Sequence, residues 1–182
     1  MYIIIDLEAT CWDYKKGENE TIEIGAVLLD KDNRILGEYQ TFIKPKRNPV
    51  LSEFCRQLTS IRQQDVDSAE TFPQAFNKFI EWAEKTADSS RKNITFCSWG
   101  YYDKNQLIKD CQFHNIEYPF STHRSLKHEF GKKRNIKPPG MKRALQICGI
   151  ELKGTHHRAL EDARNITKIF IAEKMADYTI IL

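Results

Sequence analysis

The sequence predicts an α/β fold, a mixed sheet that opens with three antiparallel strands, gains further strands later and is flanked by helices. Three observations predict it. Strand-like runs crowd the first quarter of the chain, the apolar spacing turns helical from about residue 51, and a short apolar run then alternates with helical segments. Strands first, then strands alternating with helices, is the order of a mixed sheet covered by helices. At 182 residues the chain suits a single domain, 1–182, large enough for a sizeable core.

Each element has its own signal. Tyr2–Asp6 is a continuous apolar run of strand length, as in a strand covered on both faces. "TIEIGAVLLD" (21–30) and "ILGEYQTFI" (35–43) flank the turn residues "KDNR" and read as an antiparallel hairpin. Thr71 and Gln74 form a capping box with Pro73 in the first turn, and Phe72, Ala75, Phe76, Phe79, Ile80 and Ala83 follow at helical spacing. "NITFCSW" (93–99) is a short buried strand, 103–113 the helix after it, and the last helix runs from about Arg158 to Met175. Residues 114–140 show no period, broken by Pro119, Pro138 and Pro139. No repeat, low-complexity segment or linker divides the chain.

Composition narrows the class. With 41% hydrophobic and 29% charged residues this is an ordinary globular chain, not a disordered one. The net charge of +3 is compatible with a nucleic-acid partner without requiring one. Basic residues are uneven: "GKKRNIKPPGMKR" (131–143) holds six Lys/Arg and no acid, and "KPKR" (44–47) is a smaller cluster. Five cysteines with no CxxC argue against a disulfide framework and a zinc knuckle. Tyr2–Ile5 is too short for a signal sequence, and no stretch approaches a membrane span, so a cytoplasmic location without membrane contact is expected.

The acids carry the chemistry. In "YIIIDLEATCW" (2–12), Asp6 and Glu8 occupy positions i and i+2 of a strand and so share a face. Two carboxylates ~4 Å apart repel by roughly 4 kcal/mol at the effective dielectric of a protein. No Lys or Arg lies between Met1 and Tyr14 to offset them, whereas a hard cation such as Mg²⁺ or Mn²⁺ would. A frayed strand end with solvated acids is the plainer alternative. Asp103 follows the strand near Trp99 and opens a helix, where it can equally cap the helix in a box with Gln106. Asp162 sits on the inward stripe of the last helix, between Ala159 and Ile166, and a carboxylate there needs a partner or a metal. A histidine in that helix's first turn suits proton removal from water near neutral pH, but spacing alone leaves His156 and His157 equivalent.

Asp6-x-Glu8, Asp103 and His157-x-x-x-x-Asp162 together resemble the three motifs of the DEDDh 3′→5′ exonucleases, whose fold is RNase H-like. "DLEATCW", "LSEFCRQLTSI" (51–61), "VDSAETFPQAF" (66–76), "SWGYYD" (98–103) and "HRALEDARNI" (157–166) are similar to the Eri-type branch, with bacterial sporulation-inhibitor-like relatives, and span nearly the whole chain. The resemblance selects His157 over His156. It implies two divalent cations, Mg²⁺ or Mn²⁺, among Asp6, Glu8, Asp103 and Asp162, with His157 as general base. It also implies nucleic-acid 3′ ends as partner, RNA favoured, single-stranded or as a 3′ overhang, and nucleoside 5′-monophosphates as product. On the same resemblance Phe54 and Tyr102 are candidate stacking residues for the terminal base, and Ala9 and Thr10 candidate contacts to the terminal sugar. Some Eri-type enzymes carry a nucleic-acid-binding module before the nuclease core. The start at the first strand gives the expectation that none exists here. A catalytically silent RNase H-like binding or regulatory module is the competing reading.

Overall fold

The computed structural model describes residues 1–14, 17–88 and 93–177. Five strands form one sheet: β1 (Tyr2–Ala9), β2 (Thr21–Leu29), β3 (Ile35–Phe42), β4 (Thr95–Ser98) and β5 (His123–Ser125), in the spatial order β3-β2-β1-β4-β5. The two pairings on the β3 side of β1 are antiparallel and the two on the β5 side parallel. This is the mixed sheet with a three-stranded antiparallel start. Seven helices are described: α1 (Glu53–Thr59), α2 (Gln63–Asp67), α3 (Phe72–Ala87), α4 (Tyr102–Phe113), α5 (Leu126–Arg134), α6 (Met141–Ile147) and α7 (Ala159–Ala172). Among the described residues no helix is long and apolar enough to cross a membrane.

Helices cover both faces of the sheet, which is why β1 and β2 are apolar almost without alternation. Ile3, Ile5 and Leu7 of β1 point to one side, into a core with Phe72, Phe76, Phe79 and Ile80 of α3 and Leu107 and Cys111 of α4. Ile4 points to the other, into a core with Phe130 of α5, Leu145 of α6 and Ile166, Ile169 and Phe170 of α7. Asp6 and Glu8 continue the Ile4 parity, so the strand aims both acids at the α7 side.

The capping box of α3 forms as expected, with the Thr71 amide donating to Gln74 Oε1 at 3.2 Å. The alternative capping box of Asp103 with Gln106 does not. Helix α4 begins one residue earlier, with Tyr101 as its cap, and Gln106 instead donates to Asn19 O and to Asp110. The unreadable stretch 114–140 contains β5 and α5.

Candidate active site

β1 keeps strand geometry through Glu8, and its register against β2 slips only between Glu8 and Ala9. The central strand therefore delivers two carboxylates to one cleft of about 320 Å³, lined by Asp6, Leu7, Glu8, Trp99, Tyr102, Asp103, Met141, His156, His157 and Asp162. Parallel pairing of β4 beside β1 carries the chain into α4, whose first turn supplies Tyr102 and Asp103. Helix α7 crosses β1 and β2 and supplies Asp162 from its first turn.

Ligand atoms of Asp6, Glu8 and Asp162 all lie within 4.8 Å of one another. Asp103 lines the same cleft, and its Oδ1 accepts the Leu7 amide at 3.1 Å, which fixes α4 to the middle of β1. Glu8, Asp103 and Asp162 are 8%, 5% and 4% exposed, so none can rely on bulk water to dissipate its charge. The cost appears in the acidities of Asp6, Glu8 and Asp103. Burial, with Asp162, Glu23 and Asp103 nearby, pushes Glu8 up to about 8. Burial and the carboxylates of Asp103, Glu8 and Asp162 hold Asp6 well above the usual range. Asp103 rises to about 6 through burial, restrained by hydrogen bonds from its own amide, the Leu7 amide and Ser98. A crowded, oxygen-only donor set of this kind suits hard divalent cations.

The histidines divide their contacts. His156 Nδ1 lies 2.9 Å from Asp162 Oδ2, while His157 donates its backbone amide to the same oxygen at 3.0 Å. Their rings stack at 4.0 Å between centroids, and His157 adopts a left-handed backbone with φ of 64°. Burial and the neighbouring His156 lower the His157 pKa, against the opposing pull of Asp162. Of the candidate substrate contacts, Tyr102 lines the cleft with a half-exposed ring. Phe54 is exposed on α1 and lies outside the cleft lining. Ala9 and Thr10 are buried outside it too. The Thr10 amide donates to Glu20 O, and its hydroxyl accepts the Glu20 amide, each at 2.9 Å.

Three residues that position α7 escaped the sequence reading. Glu23, the rung partner of Glu8 on β2, is fully buried and accepts from Arg158 Nη2, the Ala159 amide (each at 3.1 Å) and Gln40. Arg158, the residue before α7, thereby ties the helix start to the sheet. Gly25, opposite Asp6, lets the backbone of Ala159 and Leu160 lie directly on β2, where a Cβ would collide with it. A glutamate inside the apolar run "TIEIG" is the signal that could have exposed Glu23, by the reasoning applied to Asp6.

Known proteins share this fold and are similar in sequence. The solved nuclease domain of 3′hExo, a DEDDh family member bound to rAMP, superposes with a TM-score of 0.87 at 30% identity, covering 97% of this chain and 92% of that one. ERI1 exoribonuclease 2 of Xenopus laevis is 33% identical over 92% of this chain, which spans only 27% of that relative's length. The probable 3′-5′ exonuclease KapD of Bacillus subtilis is 30% identical, with 92% of this chain and 82% of the relative covered. A family model described as Exonuclease matches residues 3–170, a span that runs from β1 into α7 and includes every carboxylate of the cleft. On that match and on the KapD likeness, the chain belongs to the exonuclease family.

Proposed function

We propose that the protein is a 3′→5′ exonuclease that hydrolyses phosphodiester bonds at RNA 3′ ends and releases nucleoside 5′-monophosphates. The observation that carries this reading is the convergence of Asp6, Glu8 and Asp162 within 4.8 Å in a cleft that also holds Asp103 and His157. The fold, the family and the exoribonuclease relatives support it.

Asp6, Glu8, Asp103 and Asp162 would hold two Mg²⁺ or Mn²⁺ ions, which when bound stabilise negative charge on the attacking and leaving oxygens of an in-line displacement. The protein's own groups do the rest. His157 takes the proton of the attacking water through its imidazole. Its lowered pKa supports this role, because it leaves the ring neutral and able to accept near neutral pH. Asp162 fixes that segment through the His157 amide at 3.0 Å. Water adds to phosphorus, the bond to the upstream 3′-oxygen breaks, and the terminal nucleotide leaves with its 5′-phosphate. Tyr102 stacks on the terminal base from the cleft wall, and Phe54 from α1 on its outer side. The main chain at Ala9 and Thr10, rather than their occupied or buried side chains, approaches the terminal sugar.

Incubation with a 3′-labelled single-stranded RNA and Mg²⁺ or Mn²⁺ tests the reading. Labelled mononucleotide is expected, abolished by EDTA and by Asp103→Ala. Binding without cleavage of RNA, DNA or overhang duplex under any of these conditions would favour the silent module instead.

A further inference from the structure

The proposed substrate is a polyanion, yet the cleft presents it with four carboxylates. Its approach needs positive charge nearby, and the structure supplies that at one border. Residues 131–143 carry six Lys/Arg and no acid, and fold as the end of α5, a proline-containing connection and the start of α6. Two contacts join this segment to the cleft. Met141, the first residue of α6, lines the cleft, and cleft-lining Trp99 donates its indole N–H to Pro139 O at 3.1 Å. The Trp99 ring also packs on Phe130 of α5, with centroids 5.9 Å apart.

On the outer side of the same connection, Arg134, Ile136, Lys137, Pro139, Arg143 and Ile147 line a groove of about 560 Å³. Arg134 is committed to Glu173. Lys137, Lys142 and Arg143 are exposed, and none of the three pairs with an acid among the described residues. Arg143 donates to Gln146 Oε1 at 3.2 Å. Lys137 and Arg143 stand unpaired with acids in a groove that also holds Ile136, Pro139 and Ile147, and exposed Lys142 is next to Arg143 in the chain. This set matches the alternation of a single strand, which offers phosphates and bare base faces together. A duplex hides those faces.

The geometry points to a docking strip in which Lys137, Lys142 and Arg143 hold the phosphates of single-stranded RNA upstream of the nucleotide in the cleft, with Ile136, Pro139 and Ile147 against a base. This strip rests on the exonuclease reading for its orientation. It accounts for how a catalytic domain with an acidic centre retains its substrate.

The test uses the full chain and its Lys137→Ala/Lys142→Ala/Arg143→Ala variant, all surface changes. Fluorescence anisotropy with a labelled single-stranded RNA of about 20 nucleotides in EDTA reads binding without turnover. We expect about tenfold weaker binding and a salt dependence shallower by roughly 2 in log–log slope, at ~0.7 per lost phosphate contact. Hydrolysis of an RNA dinucleotide in Mg²⁺, too short to reach the strip, is expected to be unchanged. Unaltered RNA affinity and salt slope overturn the strip, as does an equal loss of dinucleotide hydrolysis. The same loss toward a polyglutamate probe also overturns it, in favour of an acidic polypeptide. If the wild-type protein cleaves neither the dinucleotide nor the longer RNA in Mg²⁺, the exonuclease reading fails, while the binding comparison still decides the strip.

Discussion

Three carboxylates that resist ionisation, Asp6, Glu8 and Asp103, make the residue scale an electrostatic problem. Glu8, raised to about 8 from an ordinary 4.5, binds its proton more tightly in the folded chain than in the unfolded one. A raised acid contributes stability that is complete below its unfolded pKa and is lost as pH rises through the folded value. In EDTA, the melting temperature is therefore expected to fall between about pH 4.5 and 8 on account of Glu8. Excess Mg²⁺ is expected to reverse the fall, with a larger increment at pH 8 than at pH 5; equal increments by calorimetry would contradict this. His157→Gln preserves a polar side chain without a basic nitrogen, and should lower kcat by roughly 10²–10⁴ with little change in KM. The acids were legible because a charge inside an apolar run is conspicuous in any reading of spacing. Glu23 obeys the same rule and was overlooked inside a strand that otherwise looked ordinary. The competing cap assigned to Asp103 failed because its carboxylate is taken by the Leu7 amide, a contact between residues 96 apart that local patterning cannot contain.

Elements with a strong period were readable, and those without one were not. Helix α3 announced itself by its capping box and apolar stripe, and α7 by Ala159, Ala163, Ile166 and Ile169. β5 is three residues long and α5 begins directly after it, so neither spans enough chain to display a period. The placement of α7 on the sheet depends instead on a missing side chain. Gly25→Ala puts a methyl into the backbone of Ala159 and Leu160 and is expected to destabilise the fold by about 1–3 kcal/mol or more. Because the same shift lifts Asp162 off Asp6 and Glu8, activity at a temperature where the variant is fully folded should drop as well. A variant equal to wild type in both denaturant midpoint and turnover would refute this account of the glycine.

At the scale of the whole molecule, the sheet order decides what the site is made of. β1 lies centrally, paired antiparallel to β2 and parallel to β4, so its last residues meet chain arriving from residues 98–103 and from α7. Hydrophobic patterning shows that strands exist but not which ones are neighbours, since pairing is settled by contacts far apart in sequence. Hence the order β3-β2-β1-β4-β5 came from the structure rather than from the sequence.

The rung that sets Glu8 opposite Glu23 has a consequence for synthesis on the ribosome. Like charges facing across adjacent strands repel, and the guanidinium that relieves Glu23 belongs to Arg158, near the far end of the chain. A nascent polypeptide that has emerged only as far as residue 157 thus lacks Arg158 and leaves Glu23 with Gln40 as its remaining side-chain partner among the described residues. Stalled chains released at that length should be digested by added protease far faster than chains carried through to residue 177. Equal survival of the two would show that the hairpin settles without its late arginine.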